Sequence, residues 1–116
     1  MAWSAGHDVL EFWREAMVRS VRSEHPDLTT RQMAIILTVY LTPPPHTVRG
    51  LAETLGVAKP VITRALDTLG QMGYLKRKRD EADKRNVLIQ RTVKGAVYLR
   101  DFSDEVEDVG VVEGDD

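Results

Sequence analysis

The sequence predicts a mainly α-helical chain with one small β-hairpin. Three observations predict it. Apolar residues recur at helical spacing in five separate stretches. The stretch from Tyr74 to Arg91 breaks that period and alternates on either side of a charged turn. Prolines and glycines, notably Pro26, Pro43 to Pro45, Gly56 and Gly73, stand where those stretches end. At 116 residues the chain has room for one domain with a modest core.

Residues Met1 to Ala5 are expected to fray. From about His7 to Ser23 a first helix carries Val9, Leu10, Phe12, Trp13, Ala16, Met17 and Val21, with Trp3 as a possible extension. That apolar stripe is wider than one contact surface needs. It either caps the core entirely or turns partly towards a second copy of the chain. His25-Pro26-Asp27 ends the helix, because proline biases its predecessor away from helical geometry. Thr29 and Gln32 have the spacing of a capping box, and Met33, Ile36, Leu37 and Tyr40 take a second helix into the core. Pro43 to Pro45 stop it and form a stiff connector.

Thr47 caps a short third helix, with Val48, Leu51, Ala52 and Leu55 at i, i+3, i+4 and i+7. Gly50 inside it costs about 1 kcal/mol relative to alanine, which a close helix approach would explain. Gly56 closes this helix. Pro60 suits the first turn of a fourth. Ile62, Ala65, Leu66 and Leu69 make its buried face; Pro60, Thr63, Arg64, Thr68 and Gln71 point the other way, with Asp67 among them. Two short helices joined in this way are a helix-turn-helix. Gly73 ends the fourth helix, and Tyr74 and Leu75 begin a strand. Lys76, Arg77, Lys78 and Arg79 follow; Asp80 to Asp83 form the tip; Lys84 and Arg85 start the return. That hairpin is a wing, so the expected architecture is a winged helix-turn-helix. Thr92 caps a last helix with Ala96, Leu99, Phe102 and Val106 along one side and Val93 near its start. From Asp101 onward there are eight acidic residues and no cation. Residues 1–108 are therefore expected to form the winged domain with flanking helices, and 109–116 a disordered acidic tail.

Composition narrows function. There is no cysteine, and His7, His25 and His46 lack ligand spacing, so no metal and no cofactor is expected. Asp80 and Asp83 stand among cations that oppose a metal. With no glycine-rich phosphate loop and no cluster of catalytic groups, an enzyme is not expected. No run is long and apolar enough for a membrane and no leader pattern opens the chain, which points to the cytoplasm. Between Thr47 and Arg100 twelve Lys and Arg face five Asp and Glu, so the overall charge of −2 hides a bipolar chain. Six cations on one hairpin repel each other unless a phosphate backbone lies beside them.

The segment resembles the DNA-binding core of the MarR family of bacterial regulators. The family's wing pattern is a glycine, an arginine four residues on, Asp-x-x-Asp-Arg-Arg, then Leu-Thr-x-x-Gly. This chain has Gly73, Arg77, Asp80, Asp83, Lys84, Arg85, Thr92 and Gly95 at those spacings. Leu28, Thr29 and Gln32 resemble the family's helix start, and Leu51, Ala52, Leu55, Val57, Thr63, Arg64 and Leu69 fit its helix-turn-helix. Arg91 stands where the family usually has leucine, which predicts a less buried strand end. Ala58 replaces a common serine, removing one phosphate contact. Family members continue with two long helices that build the dimer and frame a pocket for small phenolic ligands. This sequence ends near the first of them, so the resemblance implies a shortened member, its ligand pocket absent or altered, dimerising through the first and last helices.

The expected function is sequence-selective binding of double-stranded DNA by a homodimer, to regulate and repress transcription. Thr63 and Arg64 would face the major groove, with Lys59, Pro60 and Thr68 at its edges. Thr29 and Thr47, at helix starts, would approach phosphates. Arg85 would reach the minor groove from the wing tip, and Arg77, Lys78, Arg79 and Lys84 would hold phosphates. By its family position Asp83 would buttress a wing arginine. The acidic tail either keeps the chain soluble or competes with DNA for the wing. The alternative function is a winged-helix adaptor or anti-regulator that binds a protein partner.

Overall fold

The computed structural model describes residues 7–109. The fraying of Met1 to Ala5, the extension at Trp3 and all but the first residue of the acidic tail lie outside them. The element order is α1 (His7–Arg22), α2 (Thr30–Leu41), α3 (Val48–Leu55), α4 (Lys59–Gln71), β1 (Leu75–Arg79), β2 (Val87–Arg91) and α5 (Val93–Asp108). Five helices and a two-stranded antiparallel hairpin make a winged helix-turn-helix. The described residues cluster into two compact units, one of residues 28–97 and one of α1 with α5 from Tyr98 onward.

The core of residues 28–97 is drawn from every element of that unit. α4 supplies Ile62, Ala65, Leu66 and Leu69, all buried, as its helical spacing predicts. Full burial of each large apolar side chain is worth about 1.5–3 kcal/mol. α3 adds Leu51 and Ala52, and the hairpin adds Leu75 and Ile89, with Tyr74 just ahead of it. α2 corrects the sequence reading: Ile35, Ile36 and Val39 are buried, whereas Met33, Leu37 and Tyr40 are half-buried. The strand likewise begins at Leu75, since Tyr74 belongs to the turn before it. No polar or charged side chain is buried among the described residues.

Helix ends follow their capping chemistry. Thr29 Oγ1 accepts from Gln32 N at 3.1 Å while Thr29 N donates to Gln32 Oε1 at 2.9 Å, completing the capping box of α2. Thr47 Oγ1 accepts from Gly50 N at 3.0 Å and caps α3. A Cβ at position 50 would meet only the Thr47 hydroxyl, at 3.2 Å, so no close helix approach accounts for this glycine. α4 ends in a Schellman turn. Gly73, at φ 81°, adopts the left-handed geometry that a Cβ disfavours, Tyr74 N donates to Leu69 O at 3.0 Å, and Gly73 N to Gly70 O at 3.0 Å.

The hairpin pairs Leu75 with Arg91 through to Arg79 with Val87. It also gains a rudimentary third strand. Thr47 bridges Leu88, and Ile89 N donates to His46 O at 2.8 Å, so the segment before α3 holds the wing. A second anchor lies at the wing's base. Tyr40 Oη donates to Tyr74 O at 2.8 Å and accepts from Thr92 N at 2.9 Å, and Thr92 Oγ1 donates to Gly73 O at 2.7 Å and accepts from Gly95 N at 2.9 Å. Arg91, expected only to loosen the strand end, has a definite task. Its Nε donates to Val39 O at 2.9 Å and its Nη2 to Thr42 O at 3.1 Å. A cation thereby caps the negative end of α2.

In the second unit, Ala16 and Tyr98 are buried. Tyr98 replaces Ala96 as the inward residue of α5: Ala96 is exposed and Val93 is 83% exposed, while Leu99, Phe102 and Val106 are half-buried. His25 has partners on α5. Its Nε2 lies 3.2 Å from Asp101 Oδ2, and its ring meets Tyr98 edge-on at 5.3 Å. Much of the α1 stripe stays open, with Val9, Leu10, Trp13 and Val21 all exposed.

Candidate nucleic-acid interface

The buried stripe of α4 fixes what its other face presents. With Ile62, Ala65, Leu66 and Leu69 inward, Lys59, Pro60, Thr63 and Arg64 are exposed and Thr68 is half-buried at the edge. Lys59 and Pro60 form the first turn behind Ala58, which makes no side-chain capping bond, so the first amides of α4 have no side-chain acceptor from this residue. The side chains of Thr63 and Arg64 form no hydrogen bond or ion pair among the described residues. The N-termini of α2 and α3 bring their caps, Thr29 and Thr47, as the sequence reading placed them.

Strand alternation sorts the cations of the wing. Leu75, Arg77 and Arg79 share one face with Ile89 and Arg91, and Leu75 and Ile89 are buried. That face packs on the core at Leu75 and Ile89, while Arg77, Arg79 and Arg91 remain exposed. Arg77 Nη2 sits 2.8 Å from Asp67 Oδ1 on α4, and Arg79 Nη1 donates to Lys84 O at 2.8 Å across the tip. Arg77, expected on a phosphate, is thus already engaged. Lys76 and Lys78 occupy the opposite face, exposed, and their side chains have no hydrogen-bond or ion-pair partner among the described residues.

The tip is a hydrogen-bonded loop. Asp80 Oδ1 accepts from Ala82 N at 2.9 Å, and Asn86 N donates to Asp83 O at 2.9 Å. Asp83 Oδ1 accepts from Arg85 N and Arg85 Nε, each at 3.1 Å, and Oδ2 from Arg85 Nη2 at 3.3 Å. Arg85's side-chain bonds, then its backbone N–H, hold the Asp83 carboxyl below the usual carboxylate range. Because that pKa is depressed, the contact is present at neutral pH and is lost on acidification through the lowered value. An acid titration followed by NMR should therefore show the Arg85 Nε–H signal change only below the pH where exposed carboxylates titrate. A change in step with those carboxylates would refute the coupling.

An open cleft of about 630 Å³ separates the starts of α3 and α4 from the wing. Thr47, Arg49, Lys59, Asp83, Arg85 and Asn86 line it. It brings together Thr47, Lys59 and Arg85, which the sequence reading had named for separate contacts, and adds Arg49, which that reading missed. The available signal was its position two residues after the Thr47 cap, in the first turn of α3.

The family model of the MarR family matches residues 28–87, more than half of the chain. The chain belongs to the MarR family. MarR proteins are DNA-binding transcriptional regulators, and the matched segment runs from the start of α2 through the helix-turn-helix and β1 to the first residue of β2. Solved structures agree in fold. The transcriptional regulator Tm0710 of Thermotoga maritima is 26% identical with a TM-score of 0.69, covering 86% of this chain and 68% of that one. CouR of Rhodococcus jostii RHA1, bound to p-coumaroyl-CoA, is 25% identical with a TM-score of 0.65, covering 94% and 72%. CouR, described as a transcriptional repressor, on a 23-mer DNA duplex superposes with a TM-score of 0.70 at 22% identity, covering 92% and 72%. No curated protein matches significantly. Among the described residues of this MarR protein, no helix is long and apolar enough to cross a membrane, and no three His, Cys, Asp or Glu gather as a metal site.

Proposed function

We propose that this MarR-family chain binds double-stranded DNA sequence-selectively as a homodimer in the cytoplasm and represses transcription where its site overlaps a promoter. The observation that carries the reading is the pairing of two unpartnered surfaces. One is the outer face of α4, with Thr63 and Arg64; the other is the outer face of the wing, with Lys76 and Lys78. In this reading Thr63 and Arg64 read base edges in the major groove, flanked by Lys59, Pro60 and Thr68. Thr29, Thr47, Lys78, Arg79 and Lys84 lie along phosphates, and Arg85, oriented by Asp83, enters the minor groove. The exposed apolar residues of α1 support a second copy as the partner that covers them.

The test is a fluorescence-anisotropy titration of a labelled random-sequence duplex at two salt concentrations. Binding should fall steeply with salt as counterions are released. Lys78→Ala should weaken binding alike on every sequence and reduce the salt slope by about 1. Absence of binding at low salt, both for the whole chain and for a chain cut after Asp108, would reject the reading in favour of a protein-binding adaptor.

A further inference from the structure

Arg77 and Asp67 join the wing at 2.8 Å to α4, the recognition helix of the proposed reading. The pair crosses an open cleft of about 510 Å³ between α4 and β1, lined by Leu66, Asp67, Gln71, Leu75, Lys76 and Arg77. The buried Leu75 holds the base of β1 and the backbone bonds from His46 and Thr47 hold β2, while the cleft beside β1 leaves its spacing from α4 to a further contact. Arg77 is the residue that supplies one. It lies two positions beyond Leu75 on the same inward face, opposite the buried Ile89.

We propose that Asp67 and Arg77 form a clamp that sets the angle of the wing on the recognition helix, so that Arg77 is a positioning residue and not a phosphate ligand. Two consequences make the clamp useful for binding. Asp67 lies three residues after Arg64 and four after Thr63, so its carboxylate belongs to the face that meets DNA. Engagement by Arg77 offsets that negative charge beside phosphates. It also occupies the carboxylate that Arg64 would otherwise meet as an i, i+3 partner. Side chains of the pair are 40% and 55% exposed, so the pair adds little to folding stability and either member can be changed in a folded chain. Its effect lies in presenting helix and wing to adjacent grooves at once.

The inference rests on the DNA-binding reading for its purpose, but the clamp itself can be tested without DNA. The chain has no cysteine, so nitroxides can be placed by Gln71→Cys and Lys78→Cys in the full chain, diluted with unlabelled chain. A narrow distance distribution is expected. It should broaden in Asp67→Asn and in Arg77→Gln, and narrow again in the charge-swapped Asp67→Arg, Arg77→Asp chain. Distributions that do not change would overturn the clamp. On a duplex enriched from a random pool by the unaltered chain, each single variant should bind about fivefold to thirtyfold more weakly. The Asp67→Asn, Arg77→Gln double variant should bind no worse than the weaker single, with the salt slope unchanged. A slope lowered by about 1 in Arg77→Gln, with Asp67→Asn binding undiminished, would make Arg77 a phosphate ligand and refute the proposal. If the unaltered chain enriches no duplex, the DNA-binding reading fails, and the distance measurement still decides the clamp.

Discussion

Gly95→Ala is expected to lower the unfolding free energy by about 3 kcal/mol, the high end of what overpacking a tight site costs. A Cβ at this position would overlap both the Tyr40 hydroxyl and the Tyr74 carbonyl. Neither neighbour can yield cheaply. Tyr40 Oη is held by Tyr74 O and Thr92 N, and Tyr74 N is locked into the turn that ends α4 by its bond to Leu69 O. Moving the hydroxyl breaks the joint among α2, the end of α4 and both ends of the wing. Urea unfolding followed by far-ultraviolet circular dichroism would measure the loss. Tyr40→Phe removes the obstructing oxygen but leaves Thr92 N–H without its acceptor, which costs about 1–3 kcal/mol. The two changes together should cost less than their sum, because the phenylalanine removes the hydroxyl oxygen, the nearest of the overlapping atoms, although the ring carbon that carried it stays close. An unfolding free energy for Gly95→Ala within about 1 kcal/mol of the unaltered chain would show that the joint is pliant.

The same joint shows where the sequence was legible and where it was not. Gly73, Thr92 and Gly95 stood out by their spacing, yet nothing local named the reason for Gly95. That reason is a tyrosine hydroxyl whose partners lie 34 and 52 residues away along the chain. α4 could be read in full because its apolar residues occupy one face only. α2 is apolar nearly all round, from Met33 to Leu41, so period alone could not decide between Ile35 and Leu37 as the inward residue. α5 failed at Tyr98 for a related reason. An amphipathic side chain with a polar tip was passed over for Ala96, which is too small to be held inside by its own apolar area.

The wing cations illustrate a different limit. Four consecutive Lys and Arg announce a charged surface, but their division into inward and outward residues depends on strand register. Register is fixed by the pairing of Leu75 with Arg91 and by burial of Leu75 and Ile89. Only then does Arg77 turn towards Asp67 and Lys78 away from it. Arg91 was legible as a departure from the family's leucine, but its partners, the carbonyls of Val39 and Thr42, belong to a helix about fifty residues earlier.

Arg64→Ala should cost about 1–3 kcal/mol at the preferred DNA site, the range for one bidentate base contact, and much less on a random duplex. Arg64 is exposed on α4 beside Thr63 and makes no ion pair among the described residues, so its guanidinium is free to meet a base. Its freedom has a local cause. The nearest acid at helical spacing, Asp67, is taken by Arg77. Arg14 shows what happens without such competition, since it folds onto Glu11 three residues away at 2.7 Å. Arg64→Lys should recover phosphate-like attraction but little selectivity, because an ammonium lacks the planar fork that matches two acceptors on one base. Enrichment of duplexes from a random pool, followed by titration of the winning and a scrambled duplex, gives the ratio that decides the matter. A fall in that ratio for both Arg64→Ala and Arg64→Lys would mark Arg64 as the reading residue. Equal weakening on both duplexes would instead place Arg64 on the phosphate backbone and leave Thr63 to carry the selectivity of α4.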